Sequence, residues 1–401
     1  MSTAKINKQT VLLVLSEKKI SNDYLISKIK TASNPSVFIQ QLLDENSDFF
    51  PTIRQAKELA NLLRIPFVSL YMTSDKISPF LHKIPNIQNR LTLDSSNDES
   101  LINLAISDIL YSYDFYLQTT ELLENKLINF SFNNKINEDK IEVADVIRDY
   151  FEISLDMQYK IKSPRQLYLY LKDLIESKGI FIQEFSGVDV TVIRAFAIYD
   201  SKFQMPIIAI NSNDSTSAKS FSLIHELVHI LKGTSSLCNG MDNSYQQNQE
   251  EIFCNAVAGE ALAPTDAIKI ILNNVKLDLT SLDDIKKIAD KFSVSREVVL
   301  RRLMDLGEIT QNEYNTLTNM ILQQFQQQKE EEKIKRQAGI KTIIPKRMDW
   351  EAFNKSSIAL SKTLLTGYYE DVFTKSDISQ ILSIKPRWVD GYLQEVAKWN
   401  K

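Results

Sequence analysis

Near its middle, the chain reads Phe221-Ser-Leu-Ile-His225-Glu226-Leu-Val-His229-Ile-Leu-Lys-Gly233, so that two of its three histidines flank a glutamate. The spacing is that of an HExxH motif, in which the two histidines stand four residues apart. Because histidine is rare in this composition, we expect such a motif to arise by chance in roughly one chain per thousand. The stretch is therefore a specific signal for a metal site.

The motif is predicted to lie on a buried helix that presents both histidines to one ion. Residues at i and i+4 of a helix share a face, with Cβ atoms about 5 to 6 Å apart. The imidazoles of His225 and His229 can therefore bind one zinc ion. Residues 213–217 offer N-cap side chains, and Gly233 suits the position after the helix. The alternative is a pair of core histidines that bond to backbone carbonyls or water.

A third ligand is needed, because a catalytic zinc usually takes three protein ligands and leaves a fourth position for water. His82 is the remaining histidine and has no metal-binding neighbours in sequence, so a carboxylate or a cysteine is favoured. Glu251 is the best candidate, and Asn255, one helical turn later, would support the site as a neighbour of the ligands. Glu250 would point elsewhere. The alternative for the two glutamates is a favourable charge at a helix N-terminus.

Three segments resemble the ImmA/IrrE family of zinc metallopeptidases in their order and spacing. They are Ile-Ile-Ala-Ile-Asn at 207–211, the HExxH segment at 221–229, and Glu-Ile-Phe-Cys-Asn-Ala-Val-Ala-Gly-Glu-Ala-Leu-Ala-Pro at 251–264. The resemblance covers residues 160 to 310. It implies a gluzincin-like peptidase whose relatives cleave DNA-binding repressors or act beside toxin genes.

The resemblance also assigns roles to four residues. It implies that His225, His229 and Glu251 bind one zinc ion per chain and that Glu226 is the general base. Zinc lowers the pKa of a bound water molecule and polarises the scissile carbonyl. Glu226 would accept the proton of that water and deliver it to the leaving amine.

Short apolar segments before the motif predict a small sheet beside the motif helix. They are residues 179–185, 192–199 and 206–210. Pro206 suits the start of an edge strand, which could hold an extended peptide by β-augmentation, and an internal core strand is the alternative. The predicted fold class is α+β and mostly helical, with a minimal zincin domain that carries a small antiparallel sheet and is flanked by helical domains.

The length of 401 residues suggests two or three domains, and patterning divides the chain further. The predicted regions are 1–95, a helical N-terminal domain; 96–160, a helical connector; 161–312, the zinc metallopeptidase domain; 313–345, a polar helical linker; and 346–401, a small helical C-terminal domain.

Two segments have helix-turn-helix patterns. Residues 53–72 resemble the second and third helices of Xre-type repressor domains, which precede the peptidase in many ImmA/IrrE relatives. Their second helix is mostly apolar at 68–72, which favours packing or partner docking over DNA reading. Residues 284–303 carry Arg296, Arg301 and Arg302, and packing within the peptidase is the favoured interpretation there.

Composition limits the classes of partner and compartment. The net charge of −4 and the pI near 5.7 give no general basic field for nucleic acid. No apolar run approaches the roughly 18 residues of a membrane helix, and the N-terminal apolar patch is too short for a signal peptide, so we expect a cytoplasmic protein without a membrane partner. Cys238 and Cys254 are too few for a disulfide framework and are interpreted as reduced thiols.

The predicted function is that of a regulatory zinc endopeptidase that cleaves a specific protein partner, such as a DNA-binding repressor. One alternative is an antitoxin-like binding protein of a toxin–antitoxin or mobile-element module, which keeps the peptidase fold and binds a toxin encoded nearby. Another is a DNA-binding transcription regulator. The intact set of His225, Glu226, His229 and Glu251 favours the enzyme.

Overall fold

The computed structural model describes residues 2–78, 81, 83–85, 96–134, 136–233, 236–238, 248–338 and 347–399. His82 and the predicted boundaries at 95 and 345 lie outside these residues. The five predicted regions therefore stay a prediction.

Helices dominate the described ranges, and four short strands lie in the middle of the chain. The helices are α1 (Lys8–Glu17), α2 (Asn22–Lys28), α3 (Pro35–Leu43), α4 (Ile53–Leu63), α5 (Ser74–Ile77), α6 (Ser96–Leu122), α7 (Lys140–Tyr150), α8 (Leu155–Lys160), α9 (Pro164–Glu176), α10 (Thr216–Leu231), α11 (Asn248–Leu262), α12 (Thr265–Asn274), α13 (Leu282–Phe292), α14 (Arg296–Asp305), α15 (Gln311–Gln337), α16 (Met348–Lys355), α17 (Ile358–Tyr369), α18 (Lys375–Ile381) and α19 (Val389–Trp399). The strands are β1 (Phe181–Phe185), β2 (Ala195–Ile198), β3 (Ile207–Asn211) and β4 (Ser236–Cys238).

The N-terminal helices α1 to α5 enclose a second apolar core, to which Leu104 of α6 also belongs. Helix α4 begins at a capping box between Thr52 and Gln55, and it ends at Arg64 in the left-handed region (φ 51°). A short 3₁₀ helix, Phe67–Tyr71, stands where the second helix of the Xre-like pattern is predicted. The guanidinium of Arg64 pairs with Asp108 on α6, so the turn after α4 faces the rest of the protein. The Xre-like assignment stays a prediction.

The four strands form one mixed sheet in the order β1-β3-β2-β4. Strand β3 runs parallel to β1 and antiparallel to β2, and β2 runs antiparallel to β4. The α+β, mostly helical fold class is confirmed. The prediction of an antiparallel sheet is wrong for β1, which pairs with β3 in parallel. The reason is that β3 lies between β1 and β2, so that β1 and β2 are not neighbours in the sheet. Of the two alternatives for residues 206–210, the internal core strand is confirmed and the edge strand is wrong, since β3 is central and buried along its whole length.

Helix α10 packs on β2 and β3 and lies between α9 and α11, which buries almost its entire surface. Helix α11 packs against α10 on one side and α7 on the other. The C-terminal helices α16 to α19 share the same apolar core as the sheet and pack against α6, α9 and β1. None of the helices in the described ranges has a stretch both long and apolar enough to cross a bilayer.

Three buried polar side chains hold the end of α11 in place. Nη1 of Arg148 donates to the carbonyl of Ala261 (2.6 Å), Nε2 of Gln158 to that of Leu262 (2.8 Å), and Nε of Arg302 to that of Ala263 (3.1 Å). Arg302 also pairs with the buried carboxylate of Glu260. Its guanidinium therefore faces the core, in agreement with packing as the role of this helix-turn-helix pattern.

Candidate metal centre

The HExxH segment lies on α10, whose ends form as the sequence predicts. Oγ of Ser215 accepts a hydrogen bond from the backbone N–H of Ala218 (3.3 Å), which caps the first turn. Gly233 follows the last turn with φ +74°, and its N–H donates to the carbonyl of Ile230 (2.9 Å). Because α10 lies between the sheet and two helices, its histidines are buried, and His229 has no exposed surface.

Three of the predicted residues converge at one point. Nε2 of His225 and Nε2 of His229 lie 3.3 Å apart. Oε2 of Glu251 lies 3.0 Å from the first nitrogen, and Oε1 of Glu251 lies 3.3 Å from the second. One ligand atom from each residue falls within 4.8 Å of the other two. Glu251 thus reaches across from α11 to the histidines of α10.

This arrangement fits a tetrahedral zinc ion. Zinc bonds of about 2.0 to 2.2 Å to nitrogen and carboxylate oxygen separate neighbouring ligand atoms by about 3.3 to 3.6 Å. The two Nε2 atoms of His225 and His229 are 3.3 Å apart, within this range, and the carboxylate of Glu251 has one oxygen 3.0 Å from the first nitrogen and the other oxygen 3.3 Å from the second. Two imidazoles and one carboxylate are also a donor set that zinc accepts in hydrolytic sites. The cluster can therefore hold a metal ion.

The electrostatics of the cluster keep Glu251 ionised. Burial alone would raise the pKa of this carboxyl, but hydrogen bonds from His225 and His229 outweigh burial and lower its pKa. A carboxyl must be deprotonated to bind a cation, so Glu251 is in the required state at neutral pH.

Glu226 and Asn255 stand next to the cluster in sequence. Glu226 is fully buried on the turn of α10 between the two histidines. Asn255 is half-buried on α11, one turn after Glu251. The roles predicted for these two residues, general base and support of the ligands, stay predictions.

Glu250 lies against the site, although its place in the sequence predicts that it points elsewhere. Its Oε1 lies 3.4 Å from Nδ1 of His229 and 3.9 Å from Nζ of Lys232. The prediction is wrong because the first turn of α11 lies beside the last turn of α10, where both glutamates reach His229. The sequence does contain one indication of this contact. Lys232, which follows the motif, is a basic residue that favours an acidic neighbour such as Glu250.

Cys254 is a free, buried thiol one turn after Glu250. Its Sγ lies 4.0 Å from Nδ1 of His229. Burial raises the pKa of this thiol, so it is protonated at neutral pH. It approaches the nitrogen of His229 that faces away from Glu251, and it is not one of the three residues that could hold a metal ion.

Comparison with known proteins gives one family. No curated protein matches the chain. The model of the IrrE N-terminal-like domain, Peptidase_M78, matches residues 176–304, which run from the end of α9 to α14 and include every residue of the cluster. This match supports the resemblance to the ImmA/IrrE family, and residues 176–304 are similar to a peptidase domain of that family.

Proposed function

We propose that this protein is a zinc-dependent endopeptidase of regulatory type, which cleaves one specific protein partner. The observation that carries the proposal is the convergence of His225, His229 and Glu251 within 4.8 Å, inside a segment that matches a peptidase family. His225, His229 and Glu251 would hold the zinc ion. When bound, zinc polarises the scissile carbonyl and makes a bound water molecule acidic.

Glu226 performs the proton transfers in this proposal. Its carboxylate accepts a proton from the attacking water and delivers it to the amine that leaves. Because Glu226 is fully buried on α10, bulk water does not compete for that proton.

The sheet suggests how an extended substrate binds. Strand β1, at one end of the sheet, contacts α6 and α16. Strand β4 pairs with β2 on one side and has no second strand partner in the described part of the chain. An extended segment of the partner protein would pair with β4, the strand that follows the motif helix.

The partner and the regulatory role are inferred from the family resemblance. A DNA-binding repressor is the substrate class that it indicates. An endopeptidase with one substrate needs a recognition surface beyond the cleaved segment, and the helices outside residues 176–304 supply that surface.

Incubation with the proteins encoded beside the gene tests this function. Purified, zinc-loaded wild type and Glu226→Gln are compared by gel electrophoresis and mass spectrometry, with the zinc content of both measured first. Discrete fragments made only by the wild type support the peptidase. An uncut, stable complex with both proteins would instead indicate an antitoxin-like binding protein. Salt-sensitive DNA binding that survives Glu226→Gln, without fragments, would indicate a transcription regulator.

A further inference from the structure

The ring of His229 lies between two carboxylates that follow one another in sequence. Its Nε2 is 3.3 Å from Oε1 of Glu251, and its Nδ1 is 3.4 Å from Oε1 of Glu250. Both glutamates belong to the first turn of α11. The two carboxylates therefore bracket the imidazole, one on the side of the metal-binding cluster and one on the opposite side.

This geometry has a chemical consequence for a metal-binding histidine. An imidazole that binds a cation through Nε2 carries its proton on Nδ1, and that N–H needs an acceptor. A carboxylate acceptor fixes the tautomer and the orientation of the ring, and it makes the binding nitrogen more basic. His229 has no exposed surface, so bulk water cannot replace such an acceptor.

Two neighbours help to identify Glu250 as that acceptor. A second group near Nδ1 of His229 is the thiol of Cys254, whose Sγ is farther away, at 4.0 Å, and is a weak acceptor. Nζ of Lys232 lies 3.9 Å from Oε1 of Glu250 and 5.1 Å from the ring centroid of Phe253, which holds the ammonium beside the carboxylate. Of the two groups, the carboxylate of Glu250 is therefore the nearer acceptor for Nδ1 of His229, and Lys232 lies beside that carboxylate.

We propose that Glu250 is a positioning residue of the metal centre. Its carboxylate accepts the Nδ1–H of His229 and so directs Nε2 towards Glu251 and the ion. The inference rests on the proposed function, because it presumes that the cluster binds zinc. It concerns the affinity for zinc and is measured without any substrate.

The variants Glu250→Gln and Glu250→Ala test the proposal in graded steps. Glutamine keeps a neutral acceptor oxygen at the same reach, and alanine removes the acceptor. Loss of a carboxylate partner of a metal-binding histidine typically lowers metal affinity by about 10-fold to 100-fold. We expect about a 10-fold loss for Glu250→Gln and a larger loss, towards 100-fold, for Glu250→Ala.

Two control variants separate positioning from charge and packing. Asp266→Asn removes an exposed carboxylate from the neighbouring helix α12, so it changes the net charge equally. Cys254→Ala removes the thiol that lies 4.0 Å from Nδ1 of His229. We expect both controls to bind zinc within 3-fold of the wild type.

The measurement is competition for zinc with a chromophoric chelator, performed on the full chain. The absorption bands of bound Co²⁺ provide a second readout, which we expect to shift in the Glu250 variants because the ring of His229 turns. Thermal melting of the metal-free proteins shows whether each variant is folded. Glu250→Gln keeps the size of the side chain, so it tests the proposal even where Glu250→Ala does not fold.

Two results would overturn the role of Glu250. One is zinc affinity within 3-fold of the wild type for both Glu250 variants. The other is a loss in Cys254→Ala that equals or exceeds the loss in Glu250→Ala. A wild type that binds no zinc would overturn the proposed function together with this inference. A graded loss of affinity in a protein that cleaves nothing would support Glu250 and contradict the peptidase alone.

Discussion

Replacing Glu176 with glutamine should remove a pH dependence from the docking of the C-terminal helices. Glu176 is buried at the end of α9, and its Oε2 accepts hydrogen bonds from the N–H of Ala359 (2.7 Å) and Oγ of Ser357 (3.2 Å) at the start of α17. Burial raises the pKa of this carboxyl from its ordinary 4.5 to about 7, against the opposing effects of Lys172 and the two hydrogen bonds.

The direction of the effect follows from proton linkage. The folded-state pKa lies above the unfolded value, so the stability that Glu176 contributes is complete below pH 4.5 and is lost as the pH rises through about 7. A change from 4.5 to about 7 corresponds to about 3 kcal/mol. Burial lowers the pKa of the neighbouring Lys172, and the carboxylate of Glu176 opposes this effect. In Glu176→Gln the ammonium of Lys172 loses that negative charge, and this loss offsets part of the stability that the variant gains. We therefore expect Glu176→Gln to gain about 1 to 3 kcal/mol relative to the wild type between pH 5 and pH 8.

Tryptophan fluorescence can report on these helices alone. The three tryptophans of the chain are Trp350, Trp388 and Trp399, which all lie between α16 and the end of α19. Nε1 of Trp399 donates to Oδ2 of Asp173 on α9 (3.1 Å), so undocking changes the environment of its indole. The assay is urea unfolding of the metal-free protein at several pH values from 5 to 8.

The control is Glu121→Gln, which removes an exposed carboxylate from α6 and should keep the pH dependence of the wild type. Transition midpoints of the wild type that stay constant from pH 5 to pH 8 would refute the reasoning. So would a Glu176→Gln variant with the same pH dependence as the wild type.

Three further predictions concern the helices that carry the metal centre. Arg302→Met should lower the free energy of unfolding by about 3 to 5 kcal/mol in urea titrations, because the buried carboxylate of Glu260 loses its partner. The control Arg301→Met replaces an exposed arginine and should change this free energy by less than about 0.5 kcal/mol. Gly233→Ala should lower the free energy of unfolding by about 1 kcal/mol in the same assay, because alanine is strained at a φ of +74°. Zinc affinity should not change, because the added Cβ would lie at an ordinary contact distance, 3.8 Å, from the ring of Tyr199. A loss of zinc binding would contradict this prediction. Removal of zinc with a chelator should lower the melting temperature of the wild type, because zinc at 1,000 times its Kd adds about 4 kcal/mol to the free energy of unfolding. The variant His229→Ala should melt at the same temperature with and without zinc.

Local rules were sufficient for the helix that carries the motif. Ser215 and Gly233 define the two ends of α10, and the apolar residues around His225 and His229 predict its burial. The approach of Glu251 also follows from sequence, because helical periodicity places it on one stripe of α11. These features depend on neighbours within a few residues, which the sequence displays directly.

The features that depend on long-range packing were not predictable in the same way. The position of β3 between β1 and β2 is set by strand pairing across residues 181 to 211, which no local pattern specifies. The contact of Glu250 with His229 depends on how the first turn of α11 meets the last turn of α10. The burial of Lys172 and Glu176 arises from the docking of α17 against α9, which two charged residues on a helix do not indicate.

Anomalous X-ray diffraction at the zinc edge, from crystals of the zinc-loaded wild type, tests the central claim most directly. We expect one anomalous peak per chain, about 2.0 to 2.2 Å from Nε2 of His225, Nε2 of His229 and a carboxylate oxygen of Glu251. A zinc-loaded crystal with no peak at these three residues, or with its peak held by other side chains, would contradict the metallopeptidase account.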